Sequence, residues 1–249
     1  MKILNLYAGI GGNRKLWGNE YEITAVEINE RIAKVYQDFF PNDNLIVTDA
    51  HQYLLEHYKE FDFIWSSPPC QSHSRIRKNS LVARGDGKPI YPDMNLYEEI
   101  LFLQGYFKGK WVVENVIGFY EPLIKPQEIG KHYFWANFNI PLLKKRERFH
   151  NEKIRIKEKR KGFNLSKYHI GHRKDQILNN CTEPELGLHI FQCAIKTKQT
   201  TIDGGTNFTK SSADDFPLQE SLISVKRESA DSPNTPHDSS AIKEEANFS

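Results

Sequence analysis

The chain has 249 residues, and 34 Lys+Arg against 32 Asp+Glu leave a net charge of only +2. That length suits one large domain or two small ones, with ample chain for a buried core. Hydrophobic residues at 39% and aromatics at 12% exclude disorder throughout, and no apolar run approaches the roughly 20 residues that span a bilayer.

The opening Met1–Tyr7 is apolar but runs straight into Gly9-Ile10-Gly11-Gly12. A signal peptide needs a longer apolar region and a small-residue cleavage site, so none is expected here. Short runs rich in Val, Ile and aromatics then recur at Ile3–Tyr7, Ile23–Glu27, Leu45–Thr48, Phe61–Trp65 and Trp111–Glu114. They read as strands. Helical patterns lie between them, including Glu30–Phe39 and Leu96–Phe107, the second with Asn95 and Glu98 at capping-box spacing. Alternating strand and helix predicts right-handed crossovers and a doubly wound, mostly parallel α/β sheet covered on both faces. Ligands of such sheets sit beyond the carboxyl ends of the strands, so functional residues are expected just after each one.

Three cysteines, Cys70, Cys181 and Cys193, form no C-x-x-C pair. That excludes a disulfide scaffold or zinc ribbon and implies a reducing compartment, and no metal is expected. Charge is unevenly spread. Lys144 to Lys174 holds thirteen Lys/Arg against three Glu, interleaved with Phe149, Phe163, Tyr168 and three histidines. Such a run suits a polyanion partner better than a plain solvated face. Residues 197–249 hold nine Ser, no Trp or Tyr, and nine Asp/Glu against five Lys/Arg. They cannot bury enough apolar surface to offset chain entropy and are expected to be a disordered, dispensable tail.

The first strand leads into Tyr7-Ala8-Gly9-Ile10-Gly11-Gly12, where glycine allows a sharp turn and close approach to a ligand. Glu27 closes the second strand, placed for a ribose hydroxyl, and Asp49 closes the third, placed for the edge of a base. A dinucleotide fingerprint would need a third glycine where Arg14 stands, which disfavours NAD. S-adenosylmethionine has a ribose and an adenine but no pyrophosphate to cradle, so it fits better. The fourth strand ends in Ser66-Ser67-Pro68-Pro69-Cys70-Gln71. The prolines fix the backbone and place Cys70 at the carboxyl edge of the sheet. Its loop carries His73, Arg75, Arg77 and Lys78, whose positive charge would favour a reactive thiolate over the inert buried thiol that is a lone cysteine's usual fate. Glu114-Asn115-Val116 ends the fifth strand and brings a candidate proton partner to the same edge.

These motifs, in this order, resemble the DNA (cytosine-5) methyltransferases, especially the small phage-type enzymes. Further similar stretches are Tyr91-Pro92-Asp93-Met94, Glu121-Pro122-Leu123-Ile124, His132-Tyr133-Phe134-Trp135, Asn179-Asn180-Cys181 and Pro184–Ala194. The resemblance covers about residues 1–196. It implies a methyltransferase domain of the S-adenosylmethionine-dependent type, with 144–178 as a shortened recognition region. By that resemblance Cys70 adds to C6 of a flipped-out cytosine, Glu114 holds N3 and the exocyclic amine, and Arg148 contacts the cytosine. Tyr7, Ala8, Gly9, Ile10, Gly12, Glu27, Asp49, Pro68 and Asn180 would bind S-adenosylmethionine. Ser74, Arg75, Arg77, Lys78 and Arg146 would hold nucleic acid.

The chain departs from the family in having Lys144 where Gln opens the Gln-x-Arg-x-Arg motif, and Asn179 where the last motif has Gly. The stretch between those motifs is too short for an independent core. A short target site or help from a specificity subunit is the consequence. DNA is the expected partner, in a cytoplasmic setting, or a nuclear one in a eukaryote. Two alternatives stand beside it: an RNA cytosine-5 methyltransferase, and a catalytically silent nucleic-acid-binding regulator of the same fold.

Overall fold

The computed structural model describes residues 1–75, 91–143, 153–171 and 173–196. They fall in the first of two compact units, Met1–Ile202; the second, Asp203–Ser249, and the predicted tail with its boundary at 196/197 lie outside the described residues. The central strand β1, Lys2–Leu6, pairs in parallel with β2, Glu22–Val26, and with β4, Phe63–Ser66. Beyond β2 lies β3, Asn44–Ile46, and beyond β4 lies β5, Lys110–Val116, both also parallel. A hairpin of β6, Gln127–Ile129, and β7, His132–Ala136, completes seven strands in the order β3-β2-β1-β4-β5-β7-β6, with β7 antiparallel to β5. The hairpin was not among the expected strands. Gly130, at a φ of +67°, supplies the left-handed residue that its two-residue connection needs.

The predicted strands are observed, displaced by one or two residues at most ends. Strand side chains alternate between two covering layers. Leu4, Leu6, Val26 and Ile64 meet Ala50 and Leu54 of α2, Ala50–His57, and Leu96, Ile100 and Leu103 of α3, Asn95–Tyr106. Ile3, Ile23, Phe63 and Val112 meet Trp17 and the residues Ile190, Phe191 and Ala194 of α6, Pro184–Lys196. On that same side Ala25 packs with α1, Glu30–Phe39, and with Phe163, Leu165 and the α5 residues Ile177 and Leu178, α5 being Lys174–Asn180. Burial on both faces explains why these strands read as near-continuous apolar runs.

Helix α1 matches its predicted limits, capped by Asn29, whose side chain accepts from the Arg31 and Ile32 amides. Helix α3 begins one residue before expectation. Asn95 is its first residue and makes no side-chain cap; the Asp93 carboxylate accepts the Asn95 amide instead, at 3.1 Å. The expected basic recognition region is partly an internal layer. Its α4, Ile154–Lys161, ends at Gly162, and Phe163 and Leu165 are fully buried. Lys161 is buried on Glu183 at 2.8 Å, and Arg160 pairs with the same carboxylate. Those two cations hold the fold together and are not presented to a partner. No helix among the described residues is long and apolar enough to cross a membrane.

The chain from Cys181 to α6 returns to the glycine loop. A Cβ on Gly12 would lie 2.3 Å from Cys181 Sγ and 2.4 Å from the Thr182 carbonyl oxygen. A Cβ on Gly187 would lie 2.4 Å from the Asn13 carbonyl, and Trp17 Nε1 donates to the Gly187 carbonyl at 3.2 Å. Gly12→Ala should therefore overpack this seam and destabilise the protein by roughly 1–3 kcal/mol. Gly9→Ala meets nothing within 4 Å and has only its φ of +56° to accommodate, a cost of about 1–2 kcal/mol. Urea unfolding of both variants checks the ranking, Gly12→Ala being the less stable.

Candidate active site

Strand order reverses between β1 and β4, so their crossovers leave on opposite sides and a crevice opens beyond their carboxyl ends. Two loops line it. The β1 loop turns at Tyr7, whose φ of +55° is unusual for a residue with a side chain. Its hydroxyl donates to Glu99 Oε1 at 2.6 Å, and Glu99, fully buried on α3, also accepts from Ser66 Oγ and from His51. Burial first, then Glu99, push the Tyr7 phenol up, so it stays protonated.

Glu27 stands just past β2 with its carboxylate across the glycine loop: Oε2 accepts the Gly9 amide and Oε1 the Asn29 amide, each at 2.9 Å. Burial raises this carboxyl, and the two amide bonds only partly offset it. The predicted cofactor residues divide accordingly. Tyr7, Gly9, Glu27 and Pro68 lie at the carboxyl ends of β1, β2 and β4. The side chains of Ala8 and Ile10 point into the core with α1, so only their backbone can line the crevice. Gly12 serves the seam with Cys181 and Thr182. Asp49 does not end β3, which stops at Ile46; it caps α2, accepting the Gln52 amide at 2.8 Å. The cap uses Oδ1 of an exposed side chain. Asn180 is exposed at the end of α5.

The other loop follows β4. Pro68 is buried, and the Asn115 amide donates to its carbonyl at 3.1 Å, tying the loop to β5. The Cys70 carbonyl accepts from the His73 and Ser74 amides, closing a tight turn, and Ser74 bridges to Gly118. Burial, then the charge of Glu114, push the Cys70 thiol above its ordinary value. This corrects the expected thiolate-favouring environment. His73 is buried, bonded to the Tyr120 hydroxyl at 2.6 Å, and desolvation lowers it toward the neutral form. Arg75 is exposed, while Arg77, Lys78, Arg146 and Arg148 lie outside the described residues.

Glu114 is buried on β5 among three donors that the sequence reading missed. Ser67 Oγ donates to Oε2 at 2.8 Å, Thr182 Oγ1 to the same oxygen at 3.3 Å, and His132 Nδ1 pairs with Oε1. Burial pushes this carboxyl up, but His132 and the three hydrogen bonds outweigh it and hold it below the usual value. His132 lies within a quoted motif, yet only the antiparallel register of β7, which sets His132 opposite Val116, brings it to Glu114. Cys181, by contrast, is pushed up to about 11 by burial and has the character of an inert thiol.

A crevice at the β1/β4 reversal, a glycine loop across an acidic strand end and an antiparallel β7 define the S-adenosylmethionine-dependent methyltransferase class. Residues 1–121 match the model of the family described as C-5 cytosine-specific DNA methylase. A tRNA (cytosine(38)-C(5))-methyltransferase of Spodoptera frugiperda is 41% identical over 83 residues, 31% of this chain and 25% of that protein. The human protein of that name is 26% identical over 125 residues, 48% of this chain and 31% of its own length. The matches thus span a third or less of these relatives. Among solved structures, a Spodoptera frugiperda DNMT2 mutant has TM-score 0.40 at 27% identity, covering 59% of this chain and 53% of its own. The Entamoeba histolytica methyltransferase EhMeth has TM-score 0.38 at 14% identity, covering 62% of each chain.

The cofactor of the cytosine-5 methyltransferases that the chain resembles is S-adenosylmethionine, and the crevice fits it. A Cβ at Gly9 would meet open space, directly beside a carboxylate suited to ribose hydroxyls. Because Glu114 raises the Cys70 thiol, Glu114→Gln should lower it and increase the thiolate fraction at neutral pH. Peptide-resolved iodoacetamide labelling should then show Cys70 modified several-fold faster in Glu114→Gln, with Cys193 unchanged.

Proposed function

We propose that the protein transfers a methyl group to C5 of cytosine in a nucleic acid, with Cys70 as nucleophile and Glu114 as the group that addresses N3. The observation that supports this most is a buried, multiply hydrogen-bonded Glu114 on the strand beside the Cys70 loop, near enough for its charge to raise the thiol. C5 is a poor nucleophile until a thiolate adds to C6, because that addition makes the ring an enamine. Cys70 Sγ gives its proton to water and forms the bond to C6. The C5–C6 π pair moves to C4–C5 and the C4–N3 π pair onto N3, which must take up a proton on the edge that Glu114 addresses. S-adenosylmethionine supplies the electrophilic methyl group, held by the Tyr7–Gly12 backbone, Glu27 and Pro68. Loss of the C5 proton then expels Cys70. The target base must leave its stack to reach such a crevice.

The motif set and the family description favour DNA. The activity of the similar insect and human proteins on tRNA favours a second reading, in which the strand is RNA. Matched DNA and RNA oligonucleotides containing 5-fluorocytosine separate the two, since fluorine cannot leave as a proton and the Cys70 adduct persists. One strand type should trap the parent protein, and Cys70→Ser should trap none. Equal trapping by Cys70→Ser would remove Cys70 as nucleophile, and binding without any adduct would favour the silent regulator.

A groove of about 440 Å³ between α1 and residues 167–170 is lined by Arg31, Lys34, Lys167 and His169, with Asp38 and Tyr168. Lys167 and the Tyr168 hydroxyl engage Asp38 at 3.4 and 2.9 Å, which leaves Arg31 and Lys34 as its phosphate-directed cations. Phosphate contacts position a strand without reading its sequence. Arg31→Ala with Lys34→Ala should weaken binding of all sequences alike and flatten the logarithmic salt slope by about 0.9 per lost contact on duplex, or about 0.7 on single strands. Fluorescence anisotropy across a salt series measures both.

A further inference from the structure

The donor set around Glu114 conflicts with the task proposed for it. As the Cys70–C6 bond forms, N3 must gain a proton, but Glu114 is held as a carboxylate and has none to give. Ser67 and Thr182 hydroxyls occupy Oε2, and hydroxyl groups are far too weak as acids to protonate a carboxylate. On Oε1 sits His132 Nδ1, from a side chain only 22% exposed, its ring nearly parallel to Phe134 at 6.2 Å. Histidine is the side chain that carries an exchangeable proton near neutral pH.

We propose that His132 supplies, through Glu114 Oε1, the proton that cytosine N3 takes during adduct formation. The proposal rests on the cytosine-5 reading above and deepens it. The path starts from the state in which imidazolium Nδ1 carries the proton facing Oε1 and the carboxylate is ionised. When the sulfur electron pair joins C6, the C5–C6 π pair becomes the C4–C5 double bond and the C4–N3 π pair moves onto N3. The proton passes from Nδ1 to Oε1 and from the carboxyl to N3, leaving neutral imidazole beside a carboxylate. When the C5 proton is lost and Cys70 departs, the N3 proton returns by the same path. One proton per turnover is released, from C5. His132 acts only through Glu114 and is a positioning residue in that sense.

Among the described residues, the ionisable neighbours of Glu114 are Cys70 after β4, His132 on β7 and Cys181 ahead of α6. Both thiols are raised and therefore neutral at physiological pH. Near Cys181, Lys161 and Glu183 satisfy each other. His132 is thus the group whose charge sets the alkaline limb of the reaction, while Cys70 sets the limb that rises with pH.

Two measurements test this. Trapping rates on 5-fluorocytosine strands, across mildly acidic to alkaline pH, should be bell-shaped for the parent protein. His132→Gln keeps an N–H donor for Glu114 but cannot deliver its proton. It should trap about a hundredfold more slowly and lose the alkaline limb, with unchanged S-adenosylmethionine affinity by calorimetry. An unaltered rate and profile would overturn the proposal. Nitrogen-15 histidine NMR of the full chain reads the pair without activity: in the parent His132 Nδ1 should carry the proton directed at Glu114, and Glu114→Ala should lose that preference. An unchanged Nδ1 resonance in Glu114→Ala would also overturn it. A parent that traps on neither strand, but shows the NMR difference, would sink the cytosine-5 reading and the proton path while leaving the ion pair standing.

Discussion

A carboxylate buried in the sheet needs donors, and the organisation of the crevice follows from that need. An unpaired Glu114 would carry a desolvation cost of several kcal/mol. Its three partners come from three separated places: Ser67 after β4, His132 on β7 and Thr182 just ahead of α6. Satisfying one side chain thus fixes the Cys70 loop, the edge hairpin and the returning C-terminal segment relative to β5. The same bonds hold Glu114 ionised, which connects the stability of the crevice to its chemistry.

The return of the chain also needs the absence of a side chain. Thr182 reaches Glu114 only because Gly12 lets Cys181 and the Thr182 carbonyl approach to where a Cβ would stand. Gly187 does the same against Asn13. Two of the glycines near the cofactor loop are therefore spent on packing, whereas Gly9 faces open space with Glu27 across its amide. A glycine-rich loop combines both uses, close packing behind and close approach in front.

The basic segment after β7 shows a similar division. Arg160 and Lys161 are consumed by Glu183, and Lys157 donates to Asn179 at 2.7 Å. Phe163 and Leu165 anchor this segment on α1, and with so little chain between β7 and α6 its basic residues are shared with the core. That sharing is consistent with the cations of α1, Arg31 and Lys34, contributing to the same groove as Lys167 and His169.

The sequence by itself determined the alternation of strand and helix, the glycine loop after β1, and the strand-end positions of Glu27, Cys70 and Glu114. These are local signals: period-two apolar runs, caps and turn residues act over a few positions. It misplaced the end of β3 before Asp49 and the cap at Asn95, where neighbouring backbone groups compete for a side chain and a shift of one or two residues decides which cap forms. The electrostatics of Cys70 were decided only by the tertiary structure, because burial and Glu114 raise the thiol while His73 is desolvated and neutral. So was the meeting of Glu114 with His132 and Thr182, residues 18 and 68 positions away. No local pattern encodes such a contact: it depends on the antiparallel register of β7 and on the close packing at Gly12, and both exist only once the sheet has formed.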